Sequence, residues 1–171
     1  LLTAFDSAQV GVRYLFPVVP LLFVWIGGLA RWAETSKGRQ RTLGIFFALQ
    51  LATTLPVFPN YLSYFNPAAS FLGGGYRYFR GSDVDWGQGL KSLKEFMDRE
   101  KIESVTLRYF GPADPTFYGV HYEPLSEAER FEPQKKVYAV SLFYLEHAEW
   151  SKHLKPTAVV GGSIFVYDLR N

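Results

Sequence analysis

Two carboxylates, Asp83 and Asp85, stand two residues apart and close to Gln88 in the run Gly81-Ser82-Asp83-Val84-Asp85-Trp86-Gly87-Gln88-Gly89-Leu90. A carboxylate pair can act as general acid and base, or hold a divalent cation with oxygen ligands. The same residues can instead build a turn and open a helix. Asp85 would then sit at the N-cap and Asp83 near the positive end of the helix dipole. Cap preferences favour the turn. Arg77 and Arg80 come just before this run. A guanidinium pairs bidentately with phosphate oxygens, so the two could hold a lipid phosphate or simply anchor the chain at a membrane surface.

Other chemistry finds less support. Gly73-Gly74-Gly75 lacks the following Lys-Ser/Thr and a preceding strand, so it is not a phosphate loop. His121, His147 and His153 lack metal-ligand spacing, and no Gly-x-Ser-x-Gly nucleophile turn occurs. There is no Cys, which removes disulfides, thiolate metal sites and thiol nucleophiles. A net charge of +2 gives no basic excess for nucleic acid. We therefore assign no catalytic residue, no metal and no cofactor from the residues alone.

The elements that must carry this run fall into two unlike halves. Charges are scarce up to Tyr76 and dense after it. Arg13 and Arg31 bracket 17 uncharged residues, Tyr14 to Ala30, close to the lower limit of about 17 for a membrane span. Pro17 and Pro20 fall in the first turns, where a missing N–H matters least. Arg41 is followed by 35 uncharged residues, Thr42 to Tyr76. The spacing predicts a second span over about 42–58, helical to about Leu55 and broken by Pro56. Arg31, Lys37, Arg39 and Arg41 predict a basic cytoplasmic loop between the spans, with both chain ends on the opposite side. Residues 59–80 read as an interfacial aromatic and glycine segment or as a loop packed on the soluble half. Tyr61, Tyr64 and Trp86 serve as interfacial anchors, because such rings have one apolar and one wet end.

Residues 81–171 read as a small α/β domain with a mixed sheet. A helix is predicted from Trp86 to about Glu100, with Leu90, Leu93, Phe96 and Met97 on one face. Strands are predicted over 104–110 and 136–143, with helical character over 145–154. A hairpin is expected at 157–169, turning at Gly161-Gly162. The expected fold is thus two transmembrane helices followed by a small extracytoplasmic α/β domain.

Several runs resemble the C-terminal part of bacterial glycosyltransferase family 39. They are residues Pro59 to Asn66, Ser82 to Leu93, Tyr109 to Pro115 with Tyr118-Gly119, Gly11 to Tyr14 with Phe16-Pro17 and Pro20, and Val160 to Tyr167. These proteins are phospholipid-carrier-dependent membrane enzymes of the GT-C type, similar to protein O-mannosyltransferases. The resemblance implies a multi-pass protein of the bacterial inner membrane and a polyprenyl-phosphate sugar donor. It makes Arg77, Arg80, Asp83, Asp85 and Gln88 candidate lipid-phosphate or acceptor-side contacts. That family keeps its catalytic acid in an early extracytoplasmic loop, which this chain does not contain. The chain begins at Leu1 and not at Met, and several hundred preceding residues with further membrane helices would be expected of such an enzyme, a short preceding region of an accessory subunit. Taken alone it is expected to be inactive. The alternatives are a non-catalytic accessory subunit of a larger membrane complex and a small two-span binding protein. The partners expected are the lipid bilayer, other membrane subunits or the preceding helices.

Overall fold

The computed structural model describes residues 16–67 and 84–170. The chain divides into two compact units, Leu1–Pro59 and Asn60–Asn171. Arg77, Arg80 and Asp83 lie outside the described residues.

Among its described residues the first unit has two α-helices, α1 (Val19–Glu34) and α2 (Lys37–Thr54). A single 3-10 turn at residues 16–18 leads into α1, and Pro20 lies in its first turn. Ala33 is the one buried residue described on α1, and α2 has none. Leu21, Leu22, Phe23, Val24, Trp25 and Ile26 are all exposed. Six successive positions cover more than one turn of about 3.6 residues, so the apolar surface runs right round the helix. A helix on the surface of a water-soluble globule normally confines its apolar residues to one stripe.

Phe16–Glu34 is long and apolar enough to cross a membrane, and it is the one such helix among the described residues. α2 does not meet that measure because Lys37, Arg39 and Arg41 occupy its first two turns. Beyond Arg41 its α-helical part reaches only Thr54, roughly 20 Å at about 1.5 Å per residue. A 3-10 turn, Leu55–Val57, follows at the expected proline.

The expected basic loop takes a different form. Arg31 closes α1 and the other three cations open α2, which leaves Thr35 and Ser36 as the link. The Thr35 hydroxyl donates to the Trp32 carbonyl at 2.8 Å. Arg39 donates to Thr35 Oγ1 at 2.7 Å and lies over the Trp32 ring, 4.7 Å from its centroid. These local bonds close the link tightly enough that no loop is needed.

The second unit is built on five strands: β1 (Val105–Arg108), β2 (Tyr122–Pro124), β3 (Val137–Ser141), β4 (Ala158–Val160) and β5 (Ile164–Asp168). Their order is β2-β1-β3-β5-β4. β1 pairs parallel to both β2 and β3, whereas β5 is antiparallel to β3 and β4, so the sheet is mixed as expected. β3 is buried along its whole length. Its side chains alternate between two cores with period two. Val137 and Ala139 join Val105, Leu107, Ile164 and Val166 on one face. Tyr138 and Val140 join Phe165 and Tyr167 on the other.

Helix α3 (Leu90–Arg99) covers the first face with Leu93, Phe96 and Met97, the residues its spacing predicted. Its start differs from the expected Trp86, since residues 86–89 form turns and Gly89 is the N-cap. The second face carries the 3-10 segments Leu142–His147 and Glu149–Lys152 rather than one helix over 145–154. Ala148 between them is extended, which breaks the run and swings Trp150 into the core. The Trp150 indole donates to the Glu129 carbonyl at 2.8 Å. β2 was not expected. It is short, exposed and contains Pro124, features of an edge strand with little sequence signal. The hairpin turn is present. Gly161 and Gly162 both have positive φ, and the Ser163 N–H closes the turn on the Val160 carbonyl at 3.2 Å.

Residues 60–67 belong to this second unit. Ser63 is buried, and its hydroxyl donates to the Gly161 carbonyl at 3.1 Å. Phe65 packs against the second core. At least this much of the 59–80 segment packs on the α/β fold.

Glu129 is the buried carboxylate of the second face. It accepts the Ser126 hydroxyl at 2.6 Å and the Tyr138 hydroxyl at 3.2 Å, and pairs with Lys136 at 3.2 Å. The Ser126 hydroxyl is the main cause holding its carboxyl below the ordinary range, against the opposing effect of burial. A folded value below the unfolded one gives stability that is present above the unfolded value and lost as pH falls through the folded one. Glu129→Gln is therefore expected to lower the melting temperature at pH 7 and to flatten the acid limb. The wild-type and variant curves should converge only once the pH has fallen below the folded value. Melting temperatures from pH 7 to 3 check this, and parallel curves would contradict it.

Candidate functional site

The Asp85–Gln88 turn lies where α3, β1, β3 and the β4–β5 turn meet. Asp85 is fully buried. One carboxylate oxygen accepts the Gly87 N–H at 3.0 Å, and the other accepts the Ser141 hydroxyl in a short bond at the end of β3. Gln88 is equally committed. Its Nε2 donates to Ser63 Oγ at 2.9 Å and to the Val84 carbonyl at 2.8 Å. Its Oε1 accepts the Trp86 N–H at 2.8 Å. The Tyr109 hydroxyl donates to the Gly87 carbonyl at 3.0 Å. Burial raises the Tyr109 pKa first, and the negative charge of Asp85 adds to this.

Glycines make this closure possible. Gly87 has φ +82°, and a Cβ there would overlap the Tyr109 hydroxyl and stand 2.7 Å from the Phe110 carbonyl oxygen. A Cβ on Gly161 would stand 2.9 Å from the Gly89 Cα. Residues 85–88 of that polar run are thus a turn stitched to the ends of three elements. Asp85 does not cap α3, because the helix starts five residues later and has no side-chain cap.

An aromatic rim borders this turn. Trp86 is 52% exposed and tilts toward Phe110, with centroids 6.2 Å apart. Phe110 stacks on Phe143 at 4.0 Å, with the planes within 8°. Tyr144 meets both rings edge-on at 6.2 and 5.1 Å. The Arg108 guanidinium lies 4.6 Å above the Tyr144 ring. Arg108 ends β1, while Phe143 and Tyr144 come two and three residues after β3. The rim therefore lies at the C-terminal ends of two adjacent parallel strands. From β1 the chain goes to β2 on one side, then returns to β3 on the other. Such a switch point is where open α/β sheets leave a crevice for ligands.

Of the residues marked out in the sequence, Asp85, Trp86 and Gln88 come together here. Tyr61 and Tyr64 lie two residues before and one after Ser63, which carries the bonds into this turn. Ser63, Tyr109 and Phe110 stood only within the runs that carry the resemblance, and Arg108, Ser141, Phe143 and Tyr144 were not marked. Phe143 and Tyr144 directly follow a strong strand pattern, but their importance depends on β3 pairing parallel to β1, which no local signal states. Among the described residues no group of three or more His, Cys, Asp or Glu could hold a metal ion. Comparison with protein-family models, with curated proteins and with solved structures yields no match.

Proposed function

We propose that the chain is the membrane and extracytoplasmic segment of a glycosyltransferase-like protein that draws on a lipid-linked sugar donor. The observation that carries the membrane part is the apolar circumference of α1, which has no aqueous counterpart among surface helices. In this reading α1 spans the bacterial inner membrane. α2 spans with it, its short apolar part lengthened by Lys37, Arg39 and Arg41 reaching up to the headgroups. Those cations and Arg31 lie on the cytoplasmic side, and the α/β unit faces outward. The transferase class rests on the family resemblance of Ser82 to Leu93 and the runs around it.

The role of this segment is to bind and position, not to break bonds. Asp85 and Gln88 have their polar atoms engaged within the turn, so neither is presented to a substrate. The same commitment favours the second reading, an accessory subunit without catalysis of its own.

Two measurements test this. Alkaline phosphatase fused after Asn171 should be active, and green fluorescent protein at the same point dark. The reverse pattern would overturn the topology. Purified chain beginning at Leu1 should give no sugar transfer from a polyprenyl-phosphate donor, and turnover would overturn the non-catalytic role.

A further inference from the structure

We infer that the aromatic rim at the ends of β1 and β3 is a binding surface for an acidic saccharide. This goes beyond the transferase reading and does not depend on it, because it stands on side-chain geometry and not on the resemblance. Three observations carry it. First, four aromatic side chains from three separate segments gather at the C-terminal ends of β1 and β3, where Trp86 is 52% and Phe143 39% exposed. Single exposed apolar residues are ordinary, but a contiguous group marks a binding surface. Second, the group occupies the switch point of the parallel strands, where a crevice opens in such sheets. Third, the Arg108 guanidinium lies over the Tyr144 ring and has no carboxylate partner among the described residues.

The chemistry of the occupant follows from these parts. The C–H faces of a pyranose ring pack on aromatic faces, whose quadrupole presents negative charge outward. A half-buried guanidinium held by an aromatic ring offers a planar fork to a carboxylate or phosphate. Ring faces alone would take a neutral sugar. The unpaired cation selects one that carries an anionic group.

The test uses the full chain in a polyoxyethylene detergent, since a glycoside detergent would compete. Tryptophan fluorescence is followed while trigalacturonic acid, glucose 1-phosphate or maltotriose is added. The expected result is a saturable change with the two acidic ligands that the neutral trisaccharide does not give at equal concentration. The stronger acidic ligand tells whether carboxylate or phosphate is preferred. Trp86→Phe should abolish the signal. Phe143→Ala should weaken binding by about tenfold. Arg108→Gln should erase the preference for acidic over neutral sugar. Near-UV circular dichroism checks that each variant keeps its fold. No saturable change up to about 10 mM, in the weak-binding range, would overturn the inference. So would equal binding of all three sugars, or unchanged affinity in well-folded Phe143→Ala and Arg108→Gln proteins.

Discussion

Asp85→Ala is expected to lower the melting temperature of the α/β unit by more than about 10 °C at pH 7. Its carboxylate is buried and accepts two hydrogen bonds, from the Gly87 N–H and the Ser141 hydroxyl. Alanine would leave both donors without an acceptor, and each such loss costs about 1–3 kcal/mol. One kcal/mol corresponds to about 4–8 °C for a domain near 100 residues. Asp85→Asn keeps an acceptor for one of the donors and should fall between wild type and alanine. Scanning calorimetry of the detergent-solubilised chain reads this directly. A loss under about 2 °C for the alanine variant, below 1 kcal/mol on that scale, would show that the turn does not hold the strand ends together.

Gly87→Ala is the second large effect. The position needs a positive φ, which costs an L-residue about 1–2 kcal/mol. The added methyl would also run into Tyr109 and the Phe110 backbone, where overpacking typically costs about 1–3 kcal/mol. The sum is about 2–5 kcal/mol, comparable to the loss expected for Asp85→Ala. The two variants should differ in one respect. Gly87→Ala displaces the Tyr109–Phe110 backbone, so it should perturb the environment of Trp86 and the rim even when the chain remains folded. A red-shifted Trp emission at low temperature, before any unfolding, is the expected signature. Stability within about 1 kcal/mol of wild type would mean the turn can adopt another backbone path.

Much of the α/β unit could be read from residue order, and the reason is periodicity. The apolar spacing of Leu90, Leu93, Phe96 and Met97 has one helical solution, and all four are buried. The alternation along Val137–Ser141 and Ile164–Asp168 supplies both faces of the sheet. Gly161-Gly162 marked the hairpin because two adjacent left-handed positions favour glycine. What was not legible depends on contacts between distant residues. The start of α3 moved from Trp86 to Leu90 because the Asp85 carboxylate closes a turn on Gly87 and Ser141 instead of capping a helix. The stretch after β3 forms two 3-10 segments because Trp150 is drawn into the core by its bond to Glu129. β2 has too few residues to show a pattern.

The site shows the same division. Unusual composition picked out Asp85, Trp86 and Gln88. The partners of this turn, Ser63 to Gln88, Tyr109 to Gly87 and Ser141 to Asp85, lie about 20 to 60 positions away in sequence. In the first unit, composition marked α1 and the basic cluster. The two-residue link came from the local fit of Thr35 and Arg39, which leaves no trace in composition.

Both outer strands of the sheet are only three residues long, and one of them ends in proline. An outer strand with free amide and carbonyl groups invites a neighbouring copy to zip on and extend the sheet from molecule to molecule. Here such an intruder would find a landing strip of about 10 Å, at roughly 3.3 Å per residue. On the β2 side, Pro124 removes one of its donors. The α/β unit is thereby shielded from fibrous self-stacking even when many copies are crowded side by side.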